Sequence, residues 1–568
     1  MQTFILTFLL FLNVTFLATA QTEPSTVSGK KQEIRATWIT TLGGMDWPRS
    51  KAGSAAGIRR QQQEFCQLLD RLKAAHFNTV LLQTRLRGDL IYPSRFETFC
   101  EALTGHTGRH PGYDPLAFAI EACHQRGMEL HAWVVTIPVG NVRQVKLQGS
   151  RSVVHQHRNL CKSYKGNWYL DPGNPGTEEY LTALVQELVT RYDIDGIHFD
   201  YIRYPEQAEQ FPDRDTFRRY GKGQSLKTWR RDNLTRIVRR LYTDIKAVKP
   251  WVKVSSSPVG KYRDTRRYPS RGWNAYDAVY QEAQQWLQEG IHDALFPMMY
   301  FQGNQFYPFA LDWKEQAAGR WIVPGLGIYF LSPREQDWPL DEIVRQIHFT
   351  RQIGLHGQAY FRNRFLLDNT KDIFDELEES TYPTWAIVPP MTWVDSIPPS
   401  APTRPVLQRT SDDRLVLKWK KPEESGASEV LYYHLYGSNQ YPVDTSLAAN
   451  LLAIRLQETS FVYQAPVAWR EPRYFAVTAT DRFGNESKPL ALNQPAEGEL
   501  RLLNQGDELI LPPETHFRLL ILRNAHGEEV MRSRYQPNLS LTRLASGFYT
   551  VYGIDSLGSE TLLGMAVK

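Results

Sequence analysis

Cysteine is scarce in this chain, with four in 568 residues. Cys66, Cys100, Cys123 and Cys161 fit no zinc-binding spacing, and they are few for a disulfide framework. Cys66 and Cys123 fall in helix-like stretches and read as plain buried residues, which leaves a Cys100–Cys161 loop disulfide open. A dominant charge is missing too. The net charge of +5 is small for this length and gives no footing for a nucleic-acid partner, which wants a concentrated basic face. No HExxH, no paired His/Asp metal pattern and no phosphate loop occurs, so neither a metal nor a cofactor is expected. Ser255-Ser-Ser257-Pro lacks the glycines of a nucleophile elbow, which argues against serine-hydrolase chemistry.

Long apolar runs are absent beyond the N-terminus, so no later stretch is expected to span a bilayer. The opening MQTFILTFLLFLNVTFLATA is uncharged and ends in Ala18-Thr19-Ala20, the small-x-small pattern of a signal-peptidase site. A cleaved export signal over 1–20 is expected, with the mature chain in the periplasm, at the cell surface or secreted. The lack of Lys or Arg ahead of the run makes a membrane anchor the competing reading. No Cys lies at the cleavage site, which excludes a lipid anchor there.

What the chain does have is aromatic surface: 15 Trp and 28 Tyr. Sugar-binding clefts need flat apolar faces with a polar edge, although many of these rings must be core. The length exceeds what one hydrophobic core supports, so several domains are expected. Strand-like runs recur at 34–41, 77–85, 128–136, 194–202, 252–258, 293–301, 321–330 and 357–362, with amphipathic helical patterns between them. Near-continuous apolar strands separated by helices indicate a parallel sheet buried on both faces. Eight such units predict an α/β fold, a TIM (β/α)8 barrel over 31–375. An open doubly wound sheet competes, but no Gly-rich turn follows the first strand. A Pro-rich linker is expected at 376–399, then two small β-sandwich domains at 400–493 and 498–568. RLVLKWKKP, YYHLYGS and RYFAVTATDRFGNES, with Trp419 and Tyr474 as core aromatics, make 400–493 similar to a fibronectin type III module.

Active sites of such barrels lie at the strand C-termini. The strongest candidate there is Asp200, near the end of the fourth strand in DGIHFDYIRYP (195–205). A carboxylate so placed could attack an anomeric carbon or stabilise an oxocarbenium ion. The bland alternative is a salt bridge to Arg203. Asp195 sits at the wrong end of the strand and reads as structural. Alternation puts His198 on the side of Asp200, as a tuning neighbour or a satisfied core histidine.

Several segments are similar to the glycosyl-hydrolase-like 10 family. They are Arg35-Ala-Thr-Trp38 through Met45-Asp46-Trp47-Pro48, FNTVLLQTRLRGDLIYPS (77–94), PGYDPLAFAIEACHQRGMELHAWV, YLDPGNP, DGIHFDYIRYP, WRRDNLTRIVRRLY, KPWVKVSSSPVG, AYDAVYQEAQQWLQEG and FPMMY. The resemblance spans about 31–370, essentially the whole barrel. It implies hydrolysis of a cell-wall-type glycan, since the family includes a hydrolase that cleaves peptidoglycan strands stripped of their peptides. Two positions depart from the family: Tyr201, where many members carry a second acid, and Leu86, where Pro is common.

A hydrolase of this kind needs a second carboxyl group. Glu282 is the favoured proton donor, ahead of Asp277, Asp46 and Asp89, each of which could instead cap a helix or pair with a cation. Sugar stacking is expected from Trp47, Trp133, Tyr204, Tyr300 and Tyr329, with core packing as the alternative for each. Arg85 and Arg203 could fork onto a lactyl carboxylate or simply hold Asp89 and Asp200. A polysaccharide is the expected partner, with the β-domains contacting envelope or glycan. An α-glucan or α-galactoside hydrolase and a non-catalytic glycan-binding barrel are the competing functions.

Overall fold

The structure is a computed structural model that describes residues 29–568 except 269, 271, 424–429, 466–471, 496–502, 512–516 and 557. The expected export signal lies outside the described residues. Among the described residues no helix is long and apolar enough to cross a membrane.

Eight parallel strands form the first unit: β1 (Ile34–Ile39), β2 (Thr79–Arg85), β3 (Glu129–Val135), β4 (Gly196–Asp200), β5 (Lys253–Ser256), β6 (Ala294–Leu295), β7 (Trp321–Ile322 with Gly325–Leu326) and β8 (Gly357–Tyr360). Strands pair in chain order, and β8 returns to β1 with Ile34 opposite Gly357. The ring closes at β7, whose first half pairs with β6 and whose second half pairs with β8. Each of the eight strands read from the sequence is present. β1 to β5 are buried along their full length, which requires cover on both faces.

That cover has two parts. Inside the ring, Trp38, Leu81, Trp133, Phe296, Trp321 and Val323 pack together. Outside it lie helices, including α1 (Ala55–Ala74), α2 (Pro115–His124), α3 (Pro175–Arg191) and α4 (Leu226–Val248). α1 shows why they form: Ser54 caps it by accepting the Gly57 N–H, and Phe65, Leu68, Leu69 and Leu72 make one apolar stripe. α2 and α3 each start with a proline behind an Asp114 or Asn174 cap.

The Pro-rich segment expected as a linker is packed beneath the barrel. Met391 is buried in the inner cluster, and Trp393 Nε1 donates to Asp293 Oδ1 at 2.9 Å. Beyond it come a three-stranded and a four-stranded antiparallel sheet sharing a core of Leu417, Trp419, Tyr433, Leu435, Phe475 and Val477. A second pair, again of three and four strands, ends the chain around Leu509, Leu520, Leu522 and Val551. The four cysteines are free thiols, so the Cys100–Cys161 disulfide is not formed; burial pushes the Cys161 thiol up to about 12.

Candidate active site

The C-terminal ends of the strands open into one cleft of about 510 Å³. Its floor comes from the strand ends: Trp38 on β1, Gln83 on β2, Trp133 on β3, Asp200 on β4, with Ser257, Tyr300 and Phe361 just past β5, β6 and β8. One wall is an insertion after β3, a small antiparallel sheet of Pro138–Asn141, Cys161–Tyr164 and Asn167–Leu170. It contributes Tyr164, Lys165, Trp168 and Tyr169 to the cleft.

Asp200 is the last residue of β4 and only 5% exposed. Its Oδ1 accepts from the Tyr201 N–H at 2.8 Å and from Ser257 Oγ at 2.9 Å, while Oδ2 accepts from Trp133 Nε1 at 3.1 Å. Burial raises its carboxyl above the usual range, opposed by the Ser257 and Tyr201 hydrogen bonds, the Arg203 charge and the Trp133 hydrogen bond. The salt bridge to Arg203, the alternative reading of Asp200, is not formed among the described residues. The nearest carboxylate oxygen to that guanidinium is Glu206 Oε1, at 4.0 Å. Tyr201, which follows Asp200, has φ +49°, a left-handed turn that swings the chain away from the strand.

Glu206 is the other carboxylate in the cleft wall, on the loop after β4, with a side chain 71% exposed. Sequence reasoning passed over it. The available signal was its place six residues after Asp200, on the active-site side of the fourth strand.

The predicted site residues divide. Trp133 and Tyr300 line the cleft, and Tyr300 stacks on Phe361 with ring centroids 5.5 Å apart. Tyr329 stands edge-on to Tyr300. His198 lies wholly buried in the barrel, accepting from Trp38 Nε1 at 3.2 Å and facing Ser255 Oγ at 3.0 Å; burial holds its pKa far below normal, so it stays neutral. Trp47 packs on Phe65 with its Nε1 given to the Gln61 carbonyl, and Tyr204 is buried among Phe211 and Tyr280. Arg85 forks onto Glu97 inside the protein rather than onto Asp89.

The four candidate donors lie outside the cleft lining. Glu282 pairs with Arg231 at 3.5 Å, and Asp277 is bound to the Asn274 side chain at the start of a short helix. Asp46 accepts the Thr40 and Arg364 N–H groups, with burial pushing its carboxyl up to about 6. Asp89 borders a separate polar cavity with Lys51, and burial pushes it up to about 7. Among the described residues no cluster of three His, Cys, Asp or Glu could hold a metal ion.

A strand-end carboxylate and a second acid in an aromatic cleft suit glycosidic chemistry, and sequence comparison supplies the family. Residues 33–326 match the glycosyl hydrolase-like 10 family. The chain belongs to that family. Glycosyl hydrolase YngK of Bacillus subtilis (strain 168) is 31% identical over 500 residues, covering 84% of this chain and 94% of its own length. Glycosyl hydrolase DigH of Escherichia coli (strain K12) is 33% identical over 376 residues, covering 60% of this chain and 86% of its own. Among solved structures, the glycoside hydrolase domain of PgaB (BpsB) from Bordetella bronchiseptica aligns with 61% of this chain and 98% of its own at a TM-score of 0.42 and 14% identity.

Proposed function

We propose that the protein is an exported glycoside hydrolase that cuts a cell-wall-type glycan, with peptide-free peptidoglycan strands as the first substrate to test. One observation carries this reading: Asp200 is buried at the floor of an aromatic cleft, bound by three donors and, among the described residues, paired with no cation. A carboxyl raised by burial is suited to donate a proton. In the proposed reaction Asp200 protonates the glycosidic oxygen as the C–O bond breaks. Water attacks the anomeric carbon and gives its proton to Glu206. Trp133 and Tyr300 offer faces on which the sugar rings stack. The three-plus-four strand arrangement supports the fibronectin type III reading of 400–493, and the Ala18-Thr19-Ala20 site supports export.

The test is incubation of purified protein with peptide-free glycan strands, intact sacculi and soluble α-glucans, with products identified by mass spectrometry. Cleavage of the first that disappears in Asp200→Asn is the expected result. Cleavage of α-glucan alone would move the substrate to the amylase type, and binding without products from any of the three would leave a glycan-binding barrel. N-terminal sequencing of the mature protein checks cleavage after Ala20.

A further inference from the structure

Arg203 is a buried cation with no close carboxylate among the described residues. It is 4% exposed, yet its Nε finds no hydrogen-bond partner among the described residues. Its Nη1 reaches only the Tyr204 carbonyl at 3.4 Å, and the nearest carboxylate stands off at 4.0 Å. Other buried arginines of the same barrel are satisfied differently. Arg230 forks onto Asp213 at 2.7 and 2.9 Å, and Arg85 onto Glu97 at 2.6 and 2.9 Å. A guanidinium removed from water without such a partner is costly to keep, so its place in a cleft wall calls for a ligand that completes it.

Its flanks fit the same conclusion. The Arg203 guanidinium lies 4.5 Å from the centre of the Tyr201 ring and 5.3 Å from that of Trp273. Those rings are 37% and 40% exposed, which is uncommon for aromatics of this size and suits stacking on sugar. Arg87 stands in the same cleft wall and makes no ion pair with a described carboxylate. The charges of Arg87 and Arg203 both act on the Tyr169 and Tyr201 phenols, which places the two cations around one set of rings. With Lys165, three cations face the cleft against Asp200 and Glu206.

We propose that Arg203, held between Tyr201 and Trp273 and joined by Arg87, forms a subsite for a carboxylate borne by the glycan, so that the cleft selects an acidic polysaccharide over a neutral one. Guanidinium groups match carboxylate geometry with paired N–H donors, and the flanking rings keep water off the bond. This inference rests on the glycoside hydrolase reading. The carboxylate could belong to a lactyl ether or to a uronic acid, and the choice of ligands separates the two.

The experiment uses the full chain carrying Asp200→Asn, so that ligands are bound without being cut. Calorimetric titration compares peptide-free peptidoglycan oligosaccharides, the same oligosaccharides with their carboxyls converted to methyl amides, oligogalacturonate and chitooligosaccharides. Amidation is expected to weaken binding on the order of 10- to 100-fold, the loss of a charged hydrogen-bonding pair. Arg203→Gln in the same background is expected to lose that factor for the carboxylated ligand and to bind the amidated one unchanged. Arg203→Lys is expected to fall between, and the less buried Arg87→Gln to show a smaller loss of the same kind should Arg203→Gln fold poorly. Preferred binding of oligogalacturonate would support the subsite and assign it to a uronic acid. Equal affinity for carboxylated and amidated ligands would overturn it, while wild-type cleavage of a neutral glycan leaves the hydrolase reading standing. Neither binding of any ligand nor cleavage by the wild type would overturn both.

Discussion

The guanidinium of Arg455, carried by the first β-sandwich, is inserted into the base of the barrel 2.6 Å from both Glu129 and Asp195. Glu129 opens β3, and Asp195 directly precedes β4, the strand that carries Asp200 at its other end. Lys253 adds a second cation to Glu129 at 2.9 Å, and His124 lies 2.8 Å from Asp195. Arg482 to Asp193 and Lys31 to Glu486 brace the same contact from outside. The sandwich is therefore built into the base of the barrel, beneath the strand that carries Asp200.

Arg455→Met is expected to cost roughly 3–5 kcal/mol, because it removes the cation that two buried carboxylates share. Equilibrium urea unfolding checks this. The pH dependence has a definite sign. The surrounding cations, Lys253 and Arg455 foremost, hold Glu129 down at about 2 against an ordinary 4.5, despite burial. Its contribution is therefore present above about pH 4.5 and lost as pH falls toward 2. In Arg455→Met that acid-side loss is expected to shrink, and an unchanged acid profile would show that the pair is not what holds the sandwich.

Asp200→Asn is expected to lower turnover at least ~100-fold while leaving the protein folded with little change in melting temperature. Desolvation is the largest influence on this carboxyl, so removing its charge offsets the one hydrogen bond the amide loses, from Trp133 Nε1, while its oxygen still accepts from Tyr201 and Ser257. Turnover assays beside calorimetric melting separate this from simple unfolding, which would lower both.

Glu206→Gln is expected to cut kcat by about 100-fold or more with no change in stability, since its side chain is mostly in solvent. Glu282→Gln and Asp277→Asn are expected to stay within about twofold of wild type, a range that surface substitutions away from a site rarely exceed. Loss of activity in Glu282→Gln alone would return the donor role to that residue.

Much of the architecture was legible because burial on both faces writes strands as continuous apolar runs, and each of the eight is where that signal lies. Asp200 was legible for the same reason, as a charge at the end of such a run. Residues set by tertiary placement were not. Glu206 sits in a loop with no periodicity, and the inserted sheet behind Trp168 consists of three four-residue strands with partly exposed faces, too short for alternation to register. Arg85 and Arg87 are two residues apart, yet one is sealed onto Glu97 and the other borders the cleft, because the strand ends between them. Arg455 had no sequence signal at all, since its partner Asp195 lies 260 residues away.

Asp89 gives a stability test independent of catalysis. Burial raises its carboxyl to about 7 from an ordinary 3.8, with nearby Glu97 adding to the shift and the Arg87 N–H opposing it. The folded protein thus holds a proton between about pH 4 and 7 that the unfolded chain has released. Stability from this group falls as pH rises through that window and is level above it, a cost of up to ~4 kcal/mol at pH 8. Asp89→Asn mimics the protonated form and keeps an oxygen for the Arg87 N–H, which is 3.2 Å from Oδ1. Thermal unfolding of the two proteins should therefore coincide near pH 4, separate up to about pH 7 and stay apart by a constant margin above it, with the variant the more stable. Parallel curves across the range would mean that the carboxyl ionises normally, and that the polar cavity beside Lys51 admits enough water to solvate it.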